Sequence, residues 1–177
     1  EGYFQTEKYF NKFRKELTKE FVVRNEFISI NNPYINLLKN TNSVSICIRR
    51  NRFSEGKKKD NKKSNQFTKD TINYIKTSID FIKKKVENPK FFLWSNDFNG
   101  LEYYFNPTVF TYIQFDKNKS LNDFNLFRYS KHFIVGPTPF HWWGAWLNDN
   151  KNKICIRPSN INPSNNLDFW PETWFPV

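Results

Sequence analysis

Apolar residues recur with helical spacing through residues 68–86. They follow one another at steps of three and four, which places them on one face of a helix. These positions are Ile72, Ile75, Ile79, Ile82 and Val86. Pro89 follows the last of them and predicts that the helix has ended by then.

Five short segments are rich in apolar residues, mostly β-branched or aromatic, as is typical of strands. They are residues 43–49, 90–95, 109–115, 132–136 and 153–157. Residues 90–95 show no polar alternation, so we expect that strand to be buried on both faces of a sheet.

Helical patterns separate these strands along the chain. Helices are predicted at residues 6–21, 33–39, 99–105, 120–131 and 139–147. The first of them carries a stripe of apolar side chains at Tyr9, Phe10, Phe13, Leu17 and Phe21. Residues from 158 onward are rich in Pro, Asn and Trp, and we expect them to form a surface loop.

The alternation of strands and helices predicts an α/β fold, with a parallel sheet that is covered by helices on both faces. Ligands of such sheets bind beyond the carboxyl ends of the strands. The residues that follow each strand are therefore the first place to look for chemistry.

Composition agrees with a globular domain and adds a charge bias. The chain has 177 residues, of which 19% are aromatic, and a formal net charge of +11. No segment approaches the roughly 20 apolar residues that span a bilayer. The sequence contains no Met, so we expect further residues upstream of Glu1. Cys47 and Cys155 lie in apolar segments and are predicted to be buried thiols in a reducing compartment.

Basic residues cluster directly after the first predicted strand. Eight of them lie between positions 49 and 63, offset by Glu55 and Asp60. The lysines at 57–63 are typical of a solvated loop. Arg49 differs because it continues the alternation of a buried strand, where a guanidinium needs a partner. A phosphate group would satisfy it through paired hydrogen bonds.

Two other strand ends carry candidate ligand-binding groups. Asp97 follows the second strand and would either cap the next helix or accept hydrogen bonds from a nucleobase edge. Thr138 and Pro139 follow the fourth strand as a helix cap and a first helical residue. Such a helix start attracts phosphate, so Arg49 and Thr138 would form a two-sided clamp, although capping alone also explains Thr138.

Several common catalytic patterns are absent from the sequence. It has no Gly-x-Gly-x-x-Gly segment and no P-loop lysine, which disfavours dinucleotide and nucleotide triphosphatase functions. No Cys or His set has zinc spacing. His132 and His141 are the two histidines, and neither has an evident nucleophile partner, so a Ser-His-Asp hydrolase is disfavoured.

Several segments resemble the alpha-1,2-fucosyltransferase family. Residues 43–53 (SVSICIRRNRF) are similar to its first donor motif, His-x-Arg-Arg-x-Asp, and residues 94–97 (WSND) to its Phe-Ser-Asp-Asp strand end. The most specific match is residues 123–147, which contain Trp-Trp-Gly-Ala-Trp-Leu. Residues 2–10 and 170–174 resemble a mid-chain and a closing segment of the family.

The resemblance implies a GT-B architecture with two Rossmann-like domains, of which this chain is the nucleotide-binding half. Residues 43–177 would form the donor-binding domain, and residues 1–42 a helical segment from the end of the N-terminal domain or a linker. The implied reaction transfers fucose from GDP-fucose to a terminal galactose of a glycan with inversion, without an essential metal or cofactor. The implied location is cytoplasmic, with membrane association through upstream residues, or the Golgi lumen in a eukaryote.

The resemblance also implies roles for individual residues. Arg49 would contact the donor diphosphate, with Arg50 in a supporting position. Asp97 would read the guanine edge, and Thr138 would bind the β-phosphate. For the general base, Glu55 is the candidate because it follows the donor motif closely.

This sequence departs from the family pattern in the first donor motif and at the start of the last predicted helix. Cys47 stands where the family has His, and Arg52 where it has Asp. Pro139 removes one phosphate contact because it has neither an amide hydrogen nor a hydroxyl, and His141 would replace that contact in part. Two alternatives stay open: a degenerate homologue that binds nucleotide or glycan without turnover, which these departures favour, and a basic nucleic-acid-binding domain, which the net charge of +11 and the interleaved aromatic residues favour.

Overall fold

The protein is built on a six-stranded, fully parallel β-sheet. The computed structural model describes residues 6–24, 32–55, 57, 59–114, 120–162 and 165–177, with only the backbone at Ser120. The strands are β1 (Ser43–Ile48), β2 (Lys90–Ser95), β3 (Phe110–Ile113), β4 (His132–Ile134), β5 (Cys155–Arg157) and β6 (Phe175–Pro176). Their spatial order is β3-β2-β1-β4-β5-β6. This is a Rossmann-like order that reverses direction between β1 and β4, and it confirms the predicted α/β class.

Five α-helices accompany the sheet in the described residues. They are α1 (Arg14–Glu20), α2 (Tyr34–Asn40), α3 (Asn61–Lys83), α4 (Ser120–Phe127) and α5 (Pro139–Trp146). The helix predicted at 68–86 is α3, which begins seven residues earlier. Its start is fixed by Asp60, whose Oδ1 accepts a hydrogen bond from the amide of Lys63 at 2.8 Å. The first two turns are polar, so the spacing of apolar residues did not reveal them.

Both faces of the sheet are covered, as predicted. Val44, Ile46 and Ile48 of β1 pack in one buried cluster with the isoleucines of α3. Cys47, between them in the strand, belongs to a second cluster that includes α4, α5 and the C-terminal tryptophans. β2 is buried on both sides from Phe91 to Ser95, which confirms the expectation for that strand.

The N-terminal segment differs from the single helix predicted at residues 6–21. Two 3₁₀ turns, Glu7–Tyr9 and Asn11–Phe13, precede α1. Phe10 interrupts them with a non-helical backbone and stacks on Trp143, with ring centroids 5.0 Å apart. As a result the predicted stripe is split: Phe10 and Leu17 pack on the core, whereas Tyr9, Phe13 and Phe21 stay exposed. Residues 2–5, which belong to the segment that resembles a mid-chain part of the family, lie outside the described residues.

The helix predicted at 120–131 is α4, which ends at Phe127. Further differences lie in short elements. Residues 99–105, predicted as a helix, contain one 3₁₀ turn at Leu101–Tyr103. The end of the strand predicted at 109–115 falls outside the described residues. The predicted C-terminal loop contributes β6, which is missed because it has two residues and one is proline. Pro176 is tolerated there because β6 is an edge strand, paired only with β5.

Tyr74 connects α3 to the ends of two neighbouring strands. Its hydroxyl lies 3.0 Å from the carbonyl oxygen of Val135 and 2.8 Å from that of Ile156, and its proton is shared between them. Burial raises the pKa of Tyr74 well above its ordinary value. The phenol therefore stays protonated and fixes the helix against the ends of β4 and β5.

Cys47 and Cys155 are buried free thiols, as the sequence predicts. Burial raises the pKa of both thiols, so neither is a reactive thiolate at neutral pH. The compartment inferred from them stays a prediction. No helix within the described ranges is both long and apolar enough to cross a lipid bilayer.

Candidate functional site

A cavity of about 880 Å³ opens at the carboxyl ends of the central strands. It lies at the point where the strand order reverses, which is where sheets of this kind bind ligands. Its lining comes from residues 94–98, at the end of β2 and in the loop after it, and from residues 137–141 at the start of α5, with Ile48, Arg49, Arg52, Gln114 and Asp123 around them. Arg49, Asp97, Thr138 and His141 are thus brought to one cavity, whereas Arg50 and Glu55 are outside its lining.

Arg49 lies directly after β1, where the alternation of the strand places it at the cavity wall. Its Nη2 forms an ion pair with Oε2 of Glu55. The side chains of Arg49 and Glu55 are 35% and 52% exposed, so solvent and ligands can reach the pair. Glu55 therefore contacts the predicted diphosphate-binding residue, and its role as general base stays a prediction.

Arg50 joins the loops that follow β1 and β2. Its amide donates to Oδ1 of Asn96 at 2.8 Å, and Nδ2 of Asn96 donates to the Arg50 carbonyl at 3.2 Å. The guanidinium donates to the carbonyl of Asn99 and lies 3.5 Å from Oδ2 of Asp97. These contacts suit the supporting position that the resemblance implies.

Asp97 lines the cavity while its carboxylate also closes the local turn. Oδ1 accepts a hydrogen bond from the amide of Asn99 at 3.0 Å, and Oδ2 accepts one from Nδ2 of Asn51 at 3.2 Å. The predicted helix cap is wrong: the next element, a 3₁₀ turn at Leu101–Tyr103, follows Gly100 and has no side-chain cap, so Asp97 closes the turn before it. The other role, recognition of a nucleobase edge, stays a prediction for a residue at the cavity wall.

Thr138 caps α5 as predicted. Its Oγ1 accepts a hydrogen bond from the amide of His141 at 3.2 Å, and its own amide donates to the Gly136 carbonyl at 2.8 Å. Pro139, the first helical residue, has no amide hydrogen. The helix start therefore offers fewer open amides than expected, but its positive dipole end faces the cavity.

His141 is a buried, neutral side chain at the cavity wall. Burial lowers its pKa to about 3; the Gly136 carbonyl raises it, and the charges of Arg49 and Arg52 lower it further. Its Nδ1 is buried and forms no hydrogen bond within the described part of the chain. A Cβ at position 136 would lie 3.2 Å from this nitrogen, so a larger residue there would push the imidazole by a few tenths of an ångström.

Arg52 is a cavity residue that the sequence reasoning did not select. Its Nη1 donates to the carbonyl of Pro137 at 2.9 Å, next to the cap of α5. Burial and the neighbouring charge of Arg49 lower its pKa. The run of basic residues after β1 contains the signal, but nothing in the sequence distinguishes Arg52 from its basic neighbours.

His132 has a structural role. Its Nδ1 accepts a hydrogen bond from the amide of Ile154 at 3.1 Å, which links the starts of β4 and β5. In the described residues, no three His, Cys, Asp or Glu side chains are grouped as metal ligands would be.

Two cations bind the opposite end of α5. Nζ of Lys153 donates to the carbonyls of Ala145 at 2.7 Å and Asn148 at 2.6 Å. The guanidinium of Arg14 donates to the carbonyl of Trp146 and lies 4.3 Å from the centre of that indole ring. The last carbonyls of the helix are thus satisfied by positive charge.

Comparisons with known proteins agree on one type of enzyme. The family model described as glycosyl transferase family 11 matches residues 1–172. The chain is also 29% identical over 181 aligned residues to an alpha-1,2-colitosyltransferase of Escherichia coli. That alignment covers 98% of this chain and 60% of the relative, so the chain spans about three fifths of the relative's length. No solved structure is significantly similar to the chain.

Proposed function

The chain belongs to glycosyl transferase family 11, and from this premise we propose that it binds the donor of a galactoside alpha-1,2-fucosyltransferase. The proposed reaction transfers fucose from GDP-fucose to a terminal galactose of a glycan, with inversion. The observation that carries the proposal is that Arg49, Asp97, Thr138 and His141 line one cavity at the reversal of the strand order.

The cavity suits a ligand with an anionic centre and a flat or apolar remainder. Arg49 and the start of α5 provide positive potential at one part of the wall. Trp94, Phe98 and Phe140 provide apolar surface at others. In the proposal, Asp97 reads the guanine edge and Arg50 supports the loop that carries Asp97.

The chemistry is a displacement at the anomeric carbon of fucose. The acceptor oxygen forms a bond to this carbon while the bond to the β-phosphate oxygen breaks, and GDP leaves with the electron pair. Arg49 and the α5 start at Thr138 would stabilise the negative charge that grows on the β-phosphate. The neutral imidazole of His141 would donate a hydrogen bond to the same group. The acceptor proton goes to a general base, for which Glu55 stays the candidate.

The proposal extends to the organisation of the chain. Residues 43–177 would form the donor-binding domain, and residues 1–42 would belong to the end of a preceding domain or linker. The relative transfers colitose according to its name, so the sugar is the least constrained part of the donor. A nucleotide-linked colitose is therefore the first alternative donor to compare with GDP-fucose.

The test is a turnover assay on the complete gene product, which measures GDP release from GDP-fucose with a galactose-terminated acceptor. We expect acceptor-dependent GDP release that is lost in Arg49→Ala. A matched control is Lys57→Ala, which removes a positive charge from the same loop at an exposed position outside the cavity lining. Equal activity of the wild type and Arg49→Ala would contradict the proposal.

The second candidate function is nucleotide binding without turnover. It is favoured by Pro139, which lacks an amide hydrogen, and by the amides of Thr138 and His141, which are already bonded within the chain. Calorimetry that shows GDP binding, together with no acceptor-dependent GDP release, would support this function over the transferase.

A further inference from the structure

Arg49 and Arg52 form a pair of cations at the same wall of the cavity, beside the start of α5. Both line the cavity, and the charge of Arg49 lowers the pKa of Arg52. Arg49 has a carboxylate partner in Glu55. Within the described ranges Arg52 has none, and it is held by the Pro137 carbonyl and by the face of Phe67, whose ring centre lies 5.5 Å from Cζ.

Neither Asp97 nor His141 neutralises Arg52. Asp97 is engaged by Arg50, Asn51 and Asn99. His141 is neutral, and its Nδ1 is buried without a hydrogen bond in the described part of the chain. A half-buried guanidinium with no carboxylate partner, beside a second guanidinium, is costly unless an anion joins them.

We propose that Arg52 is a second ligand of the donor diphosphate and binds its β-phosphate, next to the group bound by Arg49. The contact of Arg52 with Pro137 places its guanidinium beside Thr138, the residue assigned to the β-phosphate. The inference rests on the proposed function. It also goes beyond the resemblance, because the family pattern has Asp at this position, so the second cation is a property of this chain.

The inference predicts that Arg52 discriminates diphosphates from monophosphates. A β-phosphate that is bound by Arg52 contributes to the affinity for GDP and not to that for GMP. A charge-assisted contact of this kind changes affinity by about 10-fold to 100-fold. The ratio of the two affinities therefore measures the role of Arg52 separately from nucleoside recognition.

The experiment is isothermal titration calorimetry of the 177-residue chain with GDP and GMP. We expect Arg52→Met to weaken GDP binding by about 10-fold to 100-fold and GMP binding by less than about threefold. Arg52→Lys keeps the charge and loses the planar fork, so its GDP affinity should lie between those of the wild type and Arg52→Met. Lys62→Met is the matched control: it removes one exposed charge at the start of α3, outside the cavity, and should change neither affinity by more than about twofold.

The outcomes separate this inference from the proposed function. If the wild type prefers GDP over GMP and both Arg52 variants keep the same preference, the inference is wrong and the proposed function stands. If the wild type binds inorganic diphosphate but not GDP, and Arg52→Lys weakens the binding of diphosphate, the anion site stands and the nucleotide donor is wrong. If the wild type binds neither ligand, both are wrong. Arg52→Lys keeps the test decisive if Arg52→Met does not fold.

Discussion

Arg49 and Glu55 form an ion pair across the loop that follows β1, at the edge of the candidate site. Exposed pairs of this kind contribute about 0–1 kcal/mol, because water competes for both partners. A diphosphate that enters the cavity can therefore replace Glu55 as the partner of Arg49 at little cost in free energy. The pair holds the arginine in place before the ligand binds.

Replacement of Arg49 by Ala should remove most of the affinity for GDP. We expect a loss of about 10-fold to 100-fold, because the diphosphate loses a charge-assisted donor. Calorimetry with GDP measures the change, and Lys57→Ala is the control for net charge. GDP binding that is unchanged in Arg49→Ala would count against the whole assignment of the site.

Replacement of Glu55 by Gln should separate its contact with Arg49 from proton transfer. Removal of a carboxylate that competes for Arg49 should strengthen GDP binding by about twofold to fivefold. If Glu55 is also the general base, acceptor-dependent turnover should fall by at least about 100-fold in the same variant. Unchanged turnover with stronger GDP binding would exclude Glu55 as the base.

His141 should make the fold sensitive to acid. Its pKa is about 3 in the folded protein, against an ordinary value of 6.5, so the unfolded chain takes up a proton in this window and the folded chain does not. Stability should therefore fall as the pH drops from 6.5 towards 3. Between pH 7 and pH 4.5, wild type should lose roughly 2 kcal/mol more than His141→Gln.

Urea unfolding at both pH values measures this difference. His132→Gln serves for comparison. His132 is only half-buried, and burial lowers its pKa as well. Equal losses in the wild type and His141→Gln would show that His141 titrates normally in the folded chain.

Gly144 marks the close contact between α4 and α5. A Cβ at this position would lie 2.8 Å from Cε1 of Phe127 and closer still to Cδ1. Gly144→Ala should destabilise the fold by about 1–3 kcal/mol, because the buried ring has to move. Thermal or urea unfolding measures the loss. In Gly144→Ala with Phe127→Leu, the combined loss should be smaller than the sum of the two single losses; strict additivity would contradict the contact.

Tyr74→Phe should destabilise the protein without changing its shape. It removes the hydroxyl that contacts the carbonyls of Val135 and Ile156, at a cost of about 1–2 kcal/mol. Tyr103→Phe is the control, since Tyr103 is 86% exposed and should change stability by less than about 0.5 kcal/mol. Equal unfolding midpoints for both variants would show that the buried hydroxyl is not stabilising.

The elements with a strong apolar period could be predicted from the sequence. The spaced isoleucines of α3 indicate a helix that is buried on one face, and the continuous apolar run of β2 indicates a strand that is buried on both faces. The structure shows both. The start of α3 could not be predicted from that period, because Asp60 fixes it through a polar contact. β6 is held by pairing with β5, which is distant in sequence, and a short segment with proline carries no local signal for it.

The site could be predicted in part, as far as it depends on the order of strands and helices. Parallel topology brings strand ends together, so the positions of Arg49, Asp97 and Thr138 at one cavity follow from the order of elements. The partners of these residues depend on loop geometry that has no period in the sequence. This applies to the ion pair of Arg49 with Glu55 and to the contact of Arg52 with Pro137.

The contacts of Arg14 and Lys153 make α5 electrically one-sided. Both cations are bound to carbonyl oxygens at the last turn of the helix, so the partial negative charge there is compensated within the protein. No equivalent carboxylate caps the first turn, where the described cap is the hydroxyl of Thr138. The two ends therefore do not cancel each other's field at a distance, and an anion near Thr138 experiences mainly the attractive pole. Lys153 lies at the far end of α5 from the cavity. A Lys153→Met variant would restore some of the opposing field there and weaken the binding of an anion near Thr138.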